Sequence, residues 1–87
     1  MTEVEFYQLN LNKSEAAQAN LMVELARFSD RSFIALIQEP HFRGLKPTSV
    51  NRKIMQVFHG KGLKNMWPRT MIITSKDLKI SLVPNPI

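Results

Sequence analysis

Phe33-Ile34-Ala35-Leu36-Ile37-Gln38-Glu39-Pro40 is the stretch on which the reading of the fold depends. Five consecutive apolar residues predict a strand covered on both faces. The proline has no N–H to offer a ladder and marks the strand's end. Upstream, Val4-Glu5-Phe6-Tyr7-Gln8-Leu9-Asn10-Leu11 is rich in β-branched, aromatic and leucine residues and lacks Gly and Pro, so it predicts a second strand. Between the two, Asn12-Lys13-Ser14-Glu15 has the form of a helix start, with Asn12 as N-cap and Glu15 three residues on in capping-box spacing. Ala17, Leu21, Leu25 and Phe28 then recur at helical spacing on one face, predicting an amphipathic helix from Ser14 to Phe28 or Ser29. The order is β-α-β. Such a unit is right-handed in nearly all known cases and makes its strands parallel.

Parallel neighbours end at the same edge of a sheet, so this topology brings two polar tips together: Asn10 and Glu39. A carboxylate directly after a strand, with no basic residue beside it in sequence, can bind Mg²⁺ or Mn²⁺ through oxygen. The alternative for Glu39 is an ordinary surface glutamate at a strand end. Asparagine is depleted in strands, which points to a specific hydrogen bond or ligand contact for Asn10. Asn12 is read first as the helix cap and second as a nucleic-acid contact.

The totals restrict the chemistry. With 87 residues the chain is one domain at most, and one that buries only about two thirds of the surface its unfolded chain exposes. The absence of cysteine excludes disulfides and thiolate metal sites, and two histidines make a zinc centre a poor fit. No apolar run approaches bilayer length and the N-terminus lacks a basic signal-peptide start, so an intracellular protein with no membrane partner is expected. The net charge of +5 conceals an asymmetry. Residues 1 to 39 hold three basic and six acidic residues, whereas residues 40 to 87 hold nine basic and one acidic. The second half therefore suits a polyanion, although a solvated lysine-rich surface would look the same.

Beyond Pro40 the pattern is less regular. Residues His41 to Asn51 read as an exposed loop. Ile54 to Phe58, Arg69 to Thr74 and Leu78 to Val83 are strand candidates, with His59 to Asn65 a basic, glycine-containing loop and Ser75-Lys76-Asp77 a turn. Lys61, Lys64, Trp67 and Arg69 mix cations with an aromatic, a combination that can follow phosphates and stack on a base. The plainer reading of Trp67 is packing over the sheet edge. Met22, Met55, Met66 and Met71 read as core or loop filler, and His41 and His59 as surface histidines in loops. Gly60-Lys61-Gly62 lacks the spacing of a phosphate loop.

Tyr7-Gln8-Leu9-Asn10-Leu11-Asn12, a helix carrying Ala16-Ala17, and Ala35-Leu36-Ile37-Gln38-Glu39-Pro40 together resemble the opening of the endonuclease domain of non-LTR retrotransposons. These domains belong to the endonuclease/exonuclease/phosphatase (DNase I-like) superfamily and are joined to a reverse transcriptase in one polyprotein. Arg69-Thr70-Met71-Ile72-Ile73 resembles a later strand of the same elements. The resemblance implies an α/β fold, here the N-terminal part of a DNase I-like α/β sandwich. It also implies Asn10 and Glu39 as catalytic and metal-binding residues, a Mg²⁺ or Mn²⁺ cofactor, DNA as partner, and the nucleus as the place where the parent protein works.

The family's later Asp-x-Asn and Ser-Asp-His motifs have no counterpart in these 87 residues. The expectation is thus a single incomplete domain over residues 1 to 87, inactive alone as a nicking enzyme. Its sheet would expose an apolar face, through which it could self-associate. The competing expectation is a small basic noncatalytic module that binds nucleic acid, through Asn12, Lys61, Lys64 and Arg69, or another protein.

Overall fold

A computed structural model describes residues 3–27, 31–60 and 67–79. Strand β1 (Val4–Asn10), helix α1 (Glu15–Arg27) and strand β2 (Ser32–Gln38) come first. The short strands β3 (Phe42–Arg43), β4 (Lys46–Pro47) and β5 (Met55–Phe58) follow, and then β6 (Thr70–Ser75). The main sheet has the order β1-β2-β6-β5. β1 and β2 are parallel, in a register that sets Asn10 beside Gln38. β6 runs antiparallel to both β2 and β5. The chain is a small mixed α/β domain, as the β-α-β reading required.

Alternation in the strands sorts the side chains by face. Phe33, Ala35 and Ile37 of β2, Met71 and Ile73 of β6 and Met55 of β5 join Met22 and Leu25 of α1 in one buried core. The methionines at 22, 55 and 71 are therefore core residues. The opposite face is less covered. Phe6 is 74% exposed and Leu36 37%, so the apolar run of β2 is buried on one side rather than on both. The register places Phe6 beside Ile34 and Leu36 beside Ile72, which makes these apolar side chains neighbours across three strands.

Four local expectations need correction or extension. The N-cap is Ser14, whose Oγ accepts the Ala17 N–H at 3.1 Å. Asn12 cannot cap because Asn12 and Lys13 both have left-handed backbone, with φ of 51° and 58°, and insert a turn between strand and helix. The buried stripe of α1 is Gln18, Met22 and Leu25, with Ala17 and Leu21 half-buried beside it. Phe28 lies outside the described residues. Finally, residues 41–51 are more than a loop: β3 and β4 pair as a hairpin, with Phe42 and Pro47 buried. Gly44, at φ 65°, supplies the left-handed residue that a two-residue hairpin turn needs. Leu78 and Lys79 are not in a strand, and the rest of the Leu78 to Val83 candidate falls outside the described residues.

Candidate metal and nucleic-acid site

The sheet order has a consequence for chemistry. β1, β2 and β5 end, and the antiparallel β6 begins, at one and the same edge. Asn10, Glu39, His59 and Arg69 all sit at or just beyond those strand ends, and His41 and Trp67 lie two residues from Glu39 and Arg69.

The backbone knits this edge together beyond the regular ladders. The Leu11 N–H donates to the Gln38 carbonyl at 2.9 Å, the Lys13 N–H to the Glu39 carbonyl at 2.8 Å, and the Glu39 N–H to the Arg69 carbonyl at 2.8 Å. Glu39 is thus held from both sides, and it is held at φ 53°. Left-handed backbone costs a non-glycine residue about 1–2 kcal/mol, and a residue kept there by its surroundings is a common feature of functional sites. Sequence spacing gives no sign of this conformation.

The side chains follow from that geometry. Asn10 Oδ1 accepts the Asn12 N–H at 2.9 Å, an Asx turn that closes the strand. A carbonyl oxygen has two lone pairs, so one acceptor site of Asn10 remains. The Glu39 carboxylate is 35% exposed and approaches Lys13 Nζ at 3.9 Å, a long contact to a lysine that is itself 60% exposed. The basic neighbour that was lacking in sequence is supplied by the β1–α1 turn. Such a solvated pair contributes little to stability and leaves carboxylate oxygens for another cation.

Among the described residues no three His, Cys, Asp or Glu side chains converge. Mg²⁺ does not require that many: it is commonly held by one or two carboxylates, with water and substrate phosphate completing the octahedron. Glu39 fits as one such ligand, and Asn10 as an oxygen donor or phosphate contact. Of the proposed nucleic-acid contacts, Asn12 and Arg69 are exposed at this edge. Lys61 and Lys64 lie outside the described residues.

Next to Glu39 the structure assembles a group that sequence reading kept apart. Phe42, 1% exposed, takes the His59 ring edge-on at 5.0 Å, and the Trp67 ring lies 6.4 Å away at 33°. Trp67 in turn meets His41 edge-on at 5.1 Å. His41 is anchored from below by Gln18, which is fully buried. The His41 N–H donates to Gln18 Oε1 at 2.7 Å. The Gln18 amide donates to the carbonyls of His41 at 2.8 Å and Thr48 at 2.7 Å. His41 Nδ1 lies 3.0 Å from Thr48 Oγ1. The one available signal for Gln18 was its position, four and seven residues before the core residues Met22 and Leu25.

Comparison with family models, with curated proteins and with solved structures finds no match. No helix among the described residues is long and apolar enough to cross a membrane.

Proposed function

We propose that this chain carries the amino-terminal part of a metal-dependent DNA endonuclease site of the endonuclease/exonuclease/phosphatase type, as found in non-LTR retrotransposon proteins. One observation supports this reading most: Asn10 and Glu39 end adjacent parallel strands, and Glu39 is clamped there in left-handed backbone. Glu39 would hold a Mg²⁺ or Mn²⁺ ion, and Asn10 would orient a phosphate with its amide. A bound ion of this kind polarises a phosphodiester and stabilises the charge that develops on cleavage. Asn12 and Arg69 add hydrogen-bonding and positive groups on the path of the DNA backbone.

Mn²⁺ titration followed by paramagnetic broadening of amide NMR signals tests the site. Broadening should be confined to the β1–α1 turn and the Glu39 turn, and should vanish in Glu39→Gln. Broadening that is absent, or unchanged by that substitution, would remove the metal site. Because this sequence holds neither an Asp-x-Asn nor a Ser-Asp-His motif, supercoiled plasmid should stay intact with the chain alone. Metal-dependent nicking lost in Glu39→Ala would overturn that expectation.

A further inference from the structure

The single tryptophan of the chain stands at the same edge as the proposed metal site. Trp67 is 40% exposed, although it contacts two aromatic neighbours. A tryptophan used only to close a core would be covered more completely, because the exposed part of its large ring contributes no burial free energy. Its surroundings are rigid. Phe42 beneath it is buried, and His41 beside it is fixed at its backbone N–H, its carbonyl and its Nδ1 by Gln18 and Thr48.

The link to Glu39 is direct. Arg69, two residues after Trp67, gives its carbonyl to the Glu39 N–H, and His41 is two residues after Glu39. Two residues of chain span at most about 7 Å, so a base lying on Trp67 and a phosphate beside exposed Arg69 can belong to one nucleotide. Duplex bases are already stacked on each other and cannot use such a surface. An unpaired base can, since every base has a π-face to offer an aromatic ring.

We propose that Trp67, braced by His41 and Phe42, is a stacking platform for an unpaired DNA base, with Arg69 contacting the adjacent phosphate. This rests on the nucleic-acid reading above and adds to it a preference for single-stranded or locally opened DNA. His41 is a positioning residue that holds the indole.

The test uses the fluorescence of the full chain excited at the red edge of the indole band, beyond the absorption of Tyr7, so that it reports on Trp67 alone. A labelled oligo-dT strand is followed in parallel by anisotropy, which registers binding whether or not the indole is involved. Single strand should quench Trp67 with the same midpoint as the anisotropy change. A duplex of equal length, or a strand of abasic sites, should raise anisotropy without quenching. Trp67→Ala should weaken single-strand binding roughly 10- to 100-fold, whereas Trp67→Phe, which keeps an aromatic face, should retain most of the affinity. Arg69→Gln should lower the salt dependence by about one phosphate contact and leave the quench at saturation unchanged. Binding by anisotropy with no change in fluorescence, or equal quenching by duplex, would overturn the platform and leave the nucleic-acid reading in place. No anisotropy change with any strand would overturn both.

Discussion

The two edges of the sheet are both built from polar residues, and both are stapled by a glutamine, yet they are put together on different terms. At the edge where β6 ends, the Gln56 amide donates to Thr74 Oγ1, to the Ser75 carbonyl and to the Leu78 carbonyl at 2.7–3.1 Å. The Ser32 hydroxyl donates to Asp77, the Phe33 N–H to Ser75 Oγ, and Arg31 pairs with Glu5 at 3.0 Å. The polar groups there are spent on one another, and a cavity of about 300 Å³ beside them is floored by Leu25, Phe33 and Met55. The opposite edge keeps its glutamine out of sight, under His41, and presents what it holds. Glu39, Asn12 and Lys13 sit in left-handed backbone, the Glu39 carboxylate has among the described residues only a long contact to Lys13, and Trp67 is partly bare. One edge is satisfied by its own hydrogen bonds. The other accepts conformational cost to display a carboxylate and an indole, and that asymmetry favours it as the working edge.

The largest effects are expected at the two glutamines. Gln18→Leu leaves the His41 N–H and the Thr48 carbonyl without the amide that pairs with them, and leaves the His41 carbonyl with the Thr48 N–H, in a place where the amide is fully buried. It should cost about 3 kcal/mol in urea unfolding. Gln56 is only half-buried, so water can replace part of what Gln56→Leu removes, and about 1 kcal/mol is expected. Equal losses would mean that the two staples are equivalent and that nothing sets the Glu39 edge apart.

Glu39→Gly sharpens the same contrast with a smaller effect and the opposite sign. Glycine adopts φ near 53° without a Cβ clash, although it has more chain entropy to lose on folding. The variant should therefore be more stable by about 0.5–1 kcal/mol while losing the Mn²⁺-dependent broadening. A gain in stability at the expense of the proposed ligand site is what a functional strain predicts. A loss of stability would instead make Glu39 a structural residue.

These distinctions were unevenly visible in the sequence. The β-α-β unit was legible because its strands and helix each repeat their apolar residues with the period of their own geometry. For the same reason Asn10 and Glu39 could be placed at one edge. Gln18 was not legible as a core residue, because a buried amide looks in sequence like any polar residue on a helix, and its partners at 41 and 48 are far along the chain. The β3–β4 hairpin was missed since two-residue strands around Gly44 and Pro47 carry only loop signals. The meeting of His41, Phe42, His59 and Trp67 depends on β6 pairing between β2 and β5, an order that alternation within single strands does not specify. The resemblance named the carboxylate and the amide but was silent about the aromatic group beside them.

The smallest effect concerns the closed edge and is read from pH. The hydrogen bond from Ser32 and a further one from Ser75 hold the Asp77 carboxyl below its usual value, and the bond from Tyr7, aided by Arg31, does the same for Glu5. A carboxyl whose folded pKa is depressed stabilises the folded chain at pH above its unfolded value, about 4, and that contribution disappears as pH falls through the folded value. Stability should thus decline on acidification below about pH 4, gently, because both carboxyls are solvated. Ser32→Ala should raise the Asp77 midpoint seen by NMR titration and slightly lower stability above pH 6, where the depressed carboxyl contributes, so that the acid limb is flatter. Arg31→Gln, which removes the weaker partner of Glu5, should change the limb less than Ser32→Ala does. An acid limb that Ser32→Ala left unmoved would mean that the hydrogen bonds holding Asp77 contribute nothing to stability, and that the closed edge is held by its backbone and glutamine contacts alone.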